Sequence, residues 1–119
     1  MARILIAEDD DNMRAFLARS LRRAGHDVEL ADNGLDAMSM LMRQEFDLLL
    51  ADVVMPGMDG IEVARRAARE NPRLKVLFIT GFAAVALRAR SSIAGTPKVL
   101  SKPFHLKDLV SQIDQLLCA

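Results

Sequence analysis

The sequence lacks the features that mark disulfide-bonded and membrane proteins. It contains one cysteine, Cys118, among 119 residues, so no internal disulfide can form and a reducing compartment is favoured. No apolar run approaches the roughly 20 residues that span a bilayer, and the chain turns acidic directly after its first apolar residues, unlike a targeting leader. We therefore expect a cytoplasmic protein without membrane contact.

An excess of charge of one sign is also missing. Sixteen basic residues balance sixteen acidic residues, and the formal net charge is zero. Such a protein has no overall field that attracts nucleic acid or an anionic membrane surface, so binding of that kind would have to be local. We expect neither nucleic acid nor membrane among its partners.

The chain has no low-complexity linker and no internal repeat that would divide it. Its 119 residues, 51% of them hydrophobic, suffice for one domain with a buried core. Short apolar runs alternate with longer stretches of helical period, which is typical of a βαβα fold. The predicted strands are Arg3–Glu8, Val28–Ala31, Phe46–Asp52, Leu74–Thr80 and Lys98–Ser101.

Five helices are predicted to follow the strands, with apolar residues at spacings of three and four. The weakest helical pattern lies between Ala83 and Ser92, where four residues are alanines. The apolar positions are Met13, Phe16, Leu17, Leu21 and Ala24 in the first helix, Leu35, Met38 and Met42 in the second, and Leu106, Leu109, Val110, Ile113 and Leu117 in the last.

Four apolar runs end in reactive polar residues. ILIA precedes Glu8 and Asp9, LLLA precedes Asp52, VLFI precedes Thr80, and KVLS precedes Lys102. If these runs are parallel strands, their carboxyl ends bring three acids, a hydroxyl and an ammonium to one edge of the sheet. Open α/β sheets bind ligands at that edge, which makes it the candidate site.

The acids at this edge favour a magnesium site. Each close pair of carboxylates would repel by roughly 4 kcal/mol at an effective dielectric of 20, so a cation is required. Magnesium takes oxygen ligands and binds through one or two carboxylates together with a phosphate. We expect Mg²⁺ as the cofactor, with Glu8, Asp9 and Asp52 at the metal. Asp10 and Asp11 are expected to cap a helix or to lie on the surface.

The same residues favour phosphoryl transfer. A carboxylate can attack phosphorus and hold it as an acyl phosphate once positive charge neutralises the charge that develops. Asp52 is the candidate nucleophile, because it stands alone at the end of the central strand. Lys102 would place its charge on the phosphoryl oxygens, and Thr80 could donate a hydrogen bond to another of them.

Taken together, four segments resemble the receiver domain of two-component response regulators. They are ILIAEDD, LLLADVVMPGMDG, VLFITG and VLSKPF, and the resemblance covers essentially the whole chain. It implies a flavodoxin-like, doubly wound α/β fold, in which five flanking helices cover a five-stranded parallel sheet of order 2-1-3-4-5. We expect one receiver domain over residues 1–119 without an output domain, as a monomer or weak dimer.

The resemblance also implies a role for each residue at the sheet edge, and the Lys102–Pro103 peptide bond is expected to be cis. By this resemblance Asp52 is the phosphoacceptor, and Glu8 and Asp9 are the acids at the metal, with Asp9 as the more direct ligand. The backbone carbonyl of Val54 is a further metal ligand. Thr80 carries the switch hydroxyl, and Lys102 is the lysine that binds the phosphoryl group.

The implied partners are a histidine kinase or histidine phosphotransferase as phosphodonor and a downstream protein effector. The chain would take part in its own phosphorylation and dephosphorylation without being an enzyme. The family docks the donor on the first helix, and its output face comprises Phe82–Ser92, the fifth strand and the last helix. The residues expected on these faces are Asn12, Ala15, Arg19 and Arg22 for the donor, and Arg88, Arg90, Lys98 and Lys107 for the output.

Departures from the family pattern indicate how this chain would signal and how long its phosphoryl group would last. Val99 stands where many receivers carry an aromatic switch residue, so rotation of a large ring cannot report phosphorylation. Val54 and Phe82 occupy two positions that influence hydrolysis, and because both are apolar we expect a persistent phosphoaspartate. The segment ITGFAAVALRA and Val99, with no output domain expected, resemble the CpdR-type single-domain receivers of alphaproteobacteria. In these, the unphosphorylated form helps to present substrates to a AAA+ protease.

Other functions differ in how well the residues fit them. A phosphorelay intermediate that passes its phosphoryl group to a histidine phosphotransferase would use the same site as a phosphorylation-gated adaptor, so both stay open. A phosphatase of the haloacid dehalogenase kind needs a second acid two residues after the nucleophile, where Val54 stands. A nucleotide binder needs a glycine-rich turn after the first strand, where the sequence is AEDDDN.

Overall fold

A parallel β-sheet organises the chain in the computed structural model, which describes residues 2–81 and 98–118. Helices lie on both faces of this sheet. In chain order the described elements are β1 (Arg3–Ala7), α1 (Asp11–Arg23), β2 (Asp27–Ala31), α2 (Gly34–Arg43), β3 (Leu48–Asp52), α3 (Gly60–Glu70), β4 (Lys75–Thr80), β5 (Lys98–Ser101) and α4 (Leu106–Cys118).

The order of the strands confirms the predicted doubly wound topology. The sheet runs β2-β1-β3-β4-β5, and every neighbouring pair is parallel. Ala7 at the end of β1 is paired with Ala51, and Asp52 at the end of β3 is paired with Ile79. The carboxyl ends of the three central strands therefore lie at nearly the same level.

The central strand β3 is buried over its whole length. Leu49 packs in the cluster that includes α2 and α3, whereas Leu50 packs in the cluster that includes α1 and α4. Full burial of one leucine contributes roughly 1.5–3 kcal/mol, so this strand anchors both layers. Burial on both faces also explains why the run LLLA has no polar alternation.

The element bounds differ slightly from those predicted. β1 ends at Ala7, so Glu8 follows the strand, and β3 begins at Leu48, which leaves Phe46 buried but outside the strand. The first helix begins at Asp11, because the Asp10 side chain caps it by accepting a hydrogen bond from the Met13 N–H. The helix predicted between residues 83 and 92 lies outside the described residues.

Several apolar positions of the predicted helical stripes are exposed. Met42 and Leu106, expected to pack inward, are 50% and 40% exposed, and Phe16 is 41% exposed. Leu106 is the first residue of α4 and Ala24 follows the last residue of α1, so both lie at helix ends. In the middle of α1, the stripe that contacts the sheet is narrower than predicted. Four of the predicted residues are fully buried, namely Leu17, Leu21, Leu109 and Ile113, and Ala18 is buried in addition. Three more predicted residues are partly buried against the core, namely Met13, Met38 and Leu117, whereas Leu35 is 60% exposed.

Candidate metal and phosphoryl-acceptor site

A single ammonium group bridges two buried carboxylates at the carboxyl edge of the sheet. Lys102 Nζ lies 3.0 Å from Glu8 Oε1 and 2.9 Å from Asp52 Oδ2. The side chain of Glu8 is fully buried, and those of Asp52 and Lys102 are 10% and 25% exposed. The structure therefore brings together three of the predicted site residues and supplies the positive charge that their repulsion requires.

Strand geometry aims the two carboxylates at the same place. Side chains alternate between the faces of a strand, so Glu8 continues the face of Ile6 and Asp52 continues the face of Leu50. Ile6 and Leu50 are paired in register and pack in the same core cluster. The two acids therefore emerge side by side where the strands end.

Asp9 completes a group of three acids. One carboxylate oxygen from each of Glu8, Asp9 and Asp52 can be chosen so that all three lie within 4.8 Å of one another. Glu8 and Asp52 are buried, whereas Asp9 is exposed. Three hard oxygen donors, one of them facing solvent, suit Mg²⁺, which commonly keeps several waters and takes one or two carboxylates. The residues present fit the expected metal.

The buried carboxyl of Glu8 has a strongly perturbed pKa. Burial raises this pKa from 4.5 to about 7, and the nearby charge of Asp52 adds to the rise. Hydrogen bonds from the Asp10 N–H and from Lys102 favour the charged form and only partly offset burial. A further cation at the site would therefore favour ionisation of Glu8.

The pKa of Lys102 is also raised, but here burial opposes the rise. Burial alone lowers the pKa of its ammonium, but the hydrogen bonds and charges of Asp52 and Glu8 outweigh burial and raise the pKa above 10.5. The group therefore carries a positive charge at neutral pH.

The carboxylate of Asp52 is held at both oxygens. Oδ1 accepts a hydrogen bond of 3.1 Å from the backbone N–H of Val54, and Oδ2 accepts one from Lys102. The side chain of Val54 is half exposed beside the acid. Val54 therefore lies next to Asp52, and the ligand role of its carbonyl stays a prediction.

Thr80 lies at the same edge, at the end of β4. It is buried and is paired with Ser101 of β5, and its carbonyl accepts a hydrogen bond of 2.8 Å from the Lys102 N–H. The strand end that carries the hydroxyl is thus joined through the backbone to the lysine. The Lys102–Pro103 peptide bond is cis, as predicted.

Two glycines that the sequence analysis did not single out support the loop after Asp52. A Cβ atom at Gly60 would overlap the carbonyl oxygen of Asp52 and would stand 3.2 Å from Cα of Val53. A Cβ atom at Gly34 would overlap the carbonyl of Met58. These glycines are the first residues of α3 and α2, and their need for close backbone approach follows from the fold and not from the local sequence.

The turn between β1 and α1 holds the first two acids. The Asp10 N–H donates to Glu8 Oε2 at 3.1 Å, and Arg14 donates to the carbonyl oxygen of Glu8 at 2.9 Å. The side chain of Asp11 is 86% exposed and forms an ion pair with Arg14. The expected capping and surface roles of Asp10 and Asp11 are confirmed, whereas Arg14 was missed.

The predicted partner faces are described in part. Lys98 and Lys107 of the proposed output face are exposed, and Arg88 and Arg90 lie outside the described residues. None of the helices in the described ranges is long and apolar enough to cross a membrane. The residues expected to face a phosphodonor, all exposed, are Asn12, Ala15, Arg19 and Arg22.

Fold and site together define a signalling module, and comparison with known families agrees. The family model described as the response regulator receiver domain matches residues 4–114. The chain belongs to this family, whose members work in two-component signalling with histidine kinases or phosphotransfer proteins.

Similar curated proteins include single-receiver and longer regulators. The response regulator receiver protein CpdR of Brucella abortus is 56% identical over 119 residues, covering 100% of this chain and 99% of that protein. The response regulator MprA of Mycobacterium leprae is 40% identical over 115 residues, covering 97% of this chain but 50% of MprA. The chain thus spans about half the length of that relative.

Solved structures of receivers have the same fold. A putative response regulator from Chloroflexus aurantiacus is 29% identical, with a TM-score of 0.89 over 99% of this chain and 98% of that one. The response regulator TrrA of Thermotoga maritima, solved in complex with Mg²⁺ and BeF, is 26% identical, with a TM-score of 0.87 over 98% of this chain and 99% of that one. The chain is a response regulator receiver in fold and in family.

Proposed function

We propose that this receiver accepts a phosphoryl group on Asp52 from a phosphohistidine donor in a Mg²⁺-dependent reaction. The proposed signal leaves through protein contacts that depend on phosphorylation. The observation that carries this proposal is that the Lys102 ammonium bridges the carboxylates of Glu8 and Asp52, with Asp9 next to them. This bridge supports the proposal because the Asp52 carboxylate, a fixed positive charge and oxygen donors of the kind that bind metals lie within one small site.

In the proposed reaction, an oxygen of Asp52 attacks phosphorus of the donor. A P–O bond forms as the P–N bond breaks, and the electron pair leaves with the imidazole nitrogen. Glu8, Asp9, Asp52 and the carbonyl of Val54 would hold Mg²⁺, which supplies neutralisation of the phosphoryl charge when bound. The TrrA complex with Mg²⁺ and BeF supports this choice of metal by similarity.

Lys102 is suited to neutralise the negative charge of the phosphoryl group during its transfer to Asp52. Its ammonium contacts Asp52 before reaction, so a small shift would let it contact a phosphoryl oxygen while its backbone N–H stays on Thr80. The Thr80 hydroxyl is proposed to contact another phosphoryl oxygen. Thr80 is the last residue of β4, and Lys102 follows β5. Such contacts would therefore favour one of two positions of these neighbouring strand ends.

The proposed donor is tested with a phosphorylated histidine phosphotransfer protein. We expect label to move to the wild-type chain in Mg²⁺, but not to Asp52→Asn and not in excess chelator. Label that reaches Asp52→Asn equally would contradict the assignment of the acceptor.

We further propose a protein effector of the regulated-proteolysis kind, a AAA+ protease, as the CpdR-type resemblance implies. Identity of 56% to CpdR over nearly the full length of both chains supports this class. Affinity capture with the unphosphorylated and the BeF-treated chain tests it. Enrichment of a protease in one state is expected, whereas enrichment of a histidine phosphotransfer protein alone would favour the relay role.

The persistent phosphoaspartate and the cytoplasmic location stay predictions. Val54 supports the first, because its exposed apolar side chain cannot orient an attacking water. Val99, which replaces the aromatic switch, is half-buried against the core cluster on the α2 and α3 side. We propose that the readout is a movement of the strand ends without rotation of a large ring.

A further inference from the structure

Arg14 joins helix α1 to the turn that carries two of the proposed metal acids. Its Nη1 donates to the carbonyl oxygen of Glu8 at 2.9 Å, and its Nη2 donates to Asp11 Oδ1 at 2.6 Å. The Arg14 side chain is only 19% exposed, so it lies against the protein. One planar guanidinium thus spans the acidic turn from its first residue to its last.

The other hydrogen bonds of the turn act mainly on Asp10. The Met13 N–H donates to Asp10 Oδ1 at 3.0 Å, the Arg14 N–H donates to the Asp10 carbonyl at 2.9 Å, and the Asp10 N–H donates to the Glu8 carboxylate. The guanidinium of Arg14 adds a direct tie to the backbone of Glu8. This tie acts at the point where the chain leaves β1 and turns towards Asp9.

Backbone position at Glu8 matters to the metal more than to the fold. The N–H of Glu8 is held by the Ala31 carbonyl at 3.0 Å, so a rotation of the peptide after Glu8 would mainly move Asp9, whereas the strand itself ends at Ala7. Mg²⁺ requires near-octahedral geometry and tolerates misplaced ligands poorly. Residues that do not touch the metal but hydrogen-bond to its ligands and orient them commonly have a strong effect on the affinity for the metal.

We propose that Arg14 is a positioning residue for the metal-binding acids, acting through the carbonyl of Glu8. The proposal rests on the proposed Mg²⁺ site. Charge alone would act in the opposite direction, because a guanidinium near the site repels a cation. Loss of Arg14 should therefore weaken Mg²⁺ binding if its hydrogen bonds matter, and strengthen binding if only its charge matters.

Calorimetric titration of Mg²⁺ into the full chain separates these outcomes. We expect Arg14→Met to bind Mg²⁺ about tenfold more weakly than wild type, the lower end of the range for outer-shell groups. Arg14→Lys keeps the charge but not the two-pronged geometry and should fall between the two. Arg23→Gln removes one charge from the far end of the same helix and should stay within about twofold of wild type, because solvent screens distant charges.

A second readout separates positioning from general loss of stability. Phosphorylation by a small acyl phosphate should need more Mg²⁺ in Arg14→Met, yet should reach a rate close to that of wild type once Mg²⁺ saturates. Unchanged or tighter Mg²⁺ binding by Arg14→Met would overturn the proposal, as would a lower rate at saturation with an unchanged Mg²⁺ requirement.

If Arg14→Met does not fold, Arg14→Lys decides, and an affinity equal to that of wild type would overturn the proposal. Failure of wild type itself to bind Mg²⁺ would instead contradict the proposed function. Normal wild-type binding without an effect of Arg14 contradicts only the positioning role.

Discussion

Lys102 and Asp52 are fifty positions apart in the chain, yet the lysine Nζ lies 2.9 Å from Asp52 Oδ2. The ammonium also contacts Glu8, so it balances the same negative charge that a bound metal would balance. Lysine and metal are therefore expected to compete electrostatically for these carboxylates, although phosphoryl transfer would use both.

Lys102→Met should lower the stability of the metal-free protein and raise its affinity for Mg²⁺. Removing the cation leaves two close carboxylates, and we expect a loss of about 1–2 kcal/mol, less than for a fully buried pair because the lysine is partly exposed. Mg²⁺ should recover part of this loss, whereas phosphorylation should fall. Urea unfolding with and without Mg²⁺ measures the first effect, and calorimetry measures the second.

Lys98→Met is the matched control, at the first residue of the strand that Lys102 follows. Lys98 is exposed, and its replacement should change stability by no more than about 0.5 kcal/mol. Weaker Mg²⁺ binding by Lys102→Met than by Lys98→Met would contradict the competition between lysine and metal.

The metal-free protein should become less stable as pH rises from 4.5 to about 7, where the Glu8 carboxyl ionises in the folded state. The folded protein keeps a proton that the unfolded chain has already released, so rising pH favours unfolding over this range. The raised pKa of Lys102 acts only above 10.5 and does not contribute here. Urea unfolding in chelator, compared with Glu8→Gln, isolates the effect. A stability that depends equally on pH in both proteins would refute the assignment to Glu8.

Gly60→Ala should disturb Asp52 without touching any polar side chain. The added methyl group overlaps the Asp52 carbonyl, so the strand end or the start of α3 must shift. We expect a loss of about 3 kcal/mol, the upper end for overpacking, together with slower phosphorylation. Gly25→Ala is the contrast, because Gly25 has open space but a φ of 95°, and only a backbone cost of about 1–2 kcal/mol is expected. Equal phosphorylation rates for the two variants would argue against Gly60 as a support of Asp52.

Val54→Asn should shorten the lifetime of the phosphoaspartate. An amide at this half-exposed position can hold a water near phosphorus, whereas valine cannot. The expected acceleration is several-fold, below the roughly 10²-fold of a positioned general base. Loss of label from the purified phosphoprotein measures it, and Val54→Ala serves as the control. An unchanged half-life in Val54→Asn would remove the explanation for persistence.

Much of this architecture could be predicted from local pattern because the pattern has a direct physical cause. Unbroken apolar runs such as that before Asp52 identify strands buried on both faces, and parallel strands carry their terminal side chains to a common edge. The order of the strands came from the family resemblance, since periodicity does not specify which strands are neighbours.

What could not be predicted depends on how the loops after β1 and β3 fold back on the strand ends. The first turn of α3 meets the Asp52 carbonyl, and the guanidinium of Arg14 reaches the Glu8 carbonyl. Neither contact follows from spacing alone. The exposure of Met42 and Phe16 was also missed, because a helical stripe does not reveal how wide a face the sheet covers.

Intact-mass measurement after incubation with Mg²⁺ and a small acyl phosphate tests the central claim most directly. Wild type should gain the mass of one phosphoryl group, and the adduct should be lost in base. Asp52→Asn should gain nothing, and neither should wild type in excess chelator. An unmodified wild-type chain, or an equal adduct on Asp52→Asn, would contradict the role of Asp52 as phosphoacceptor.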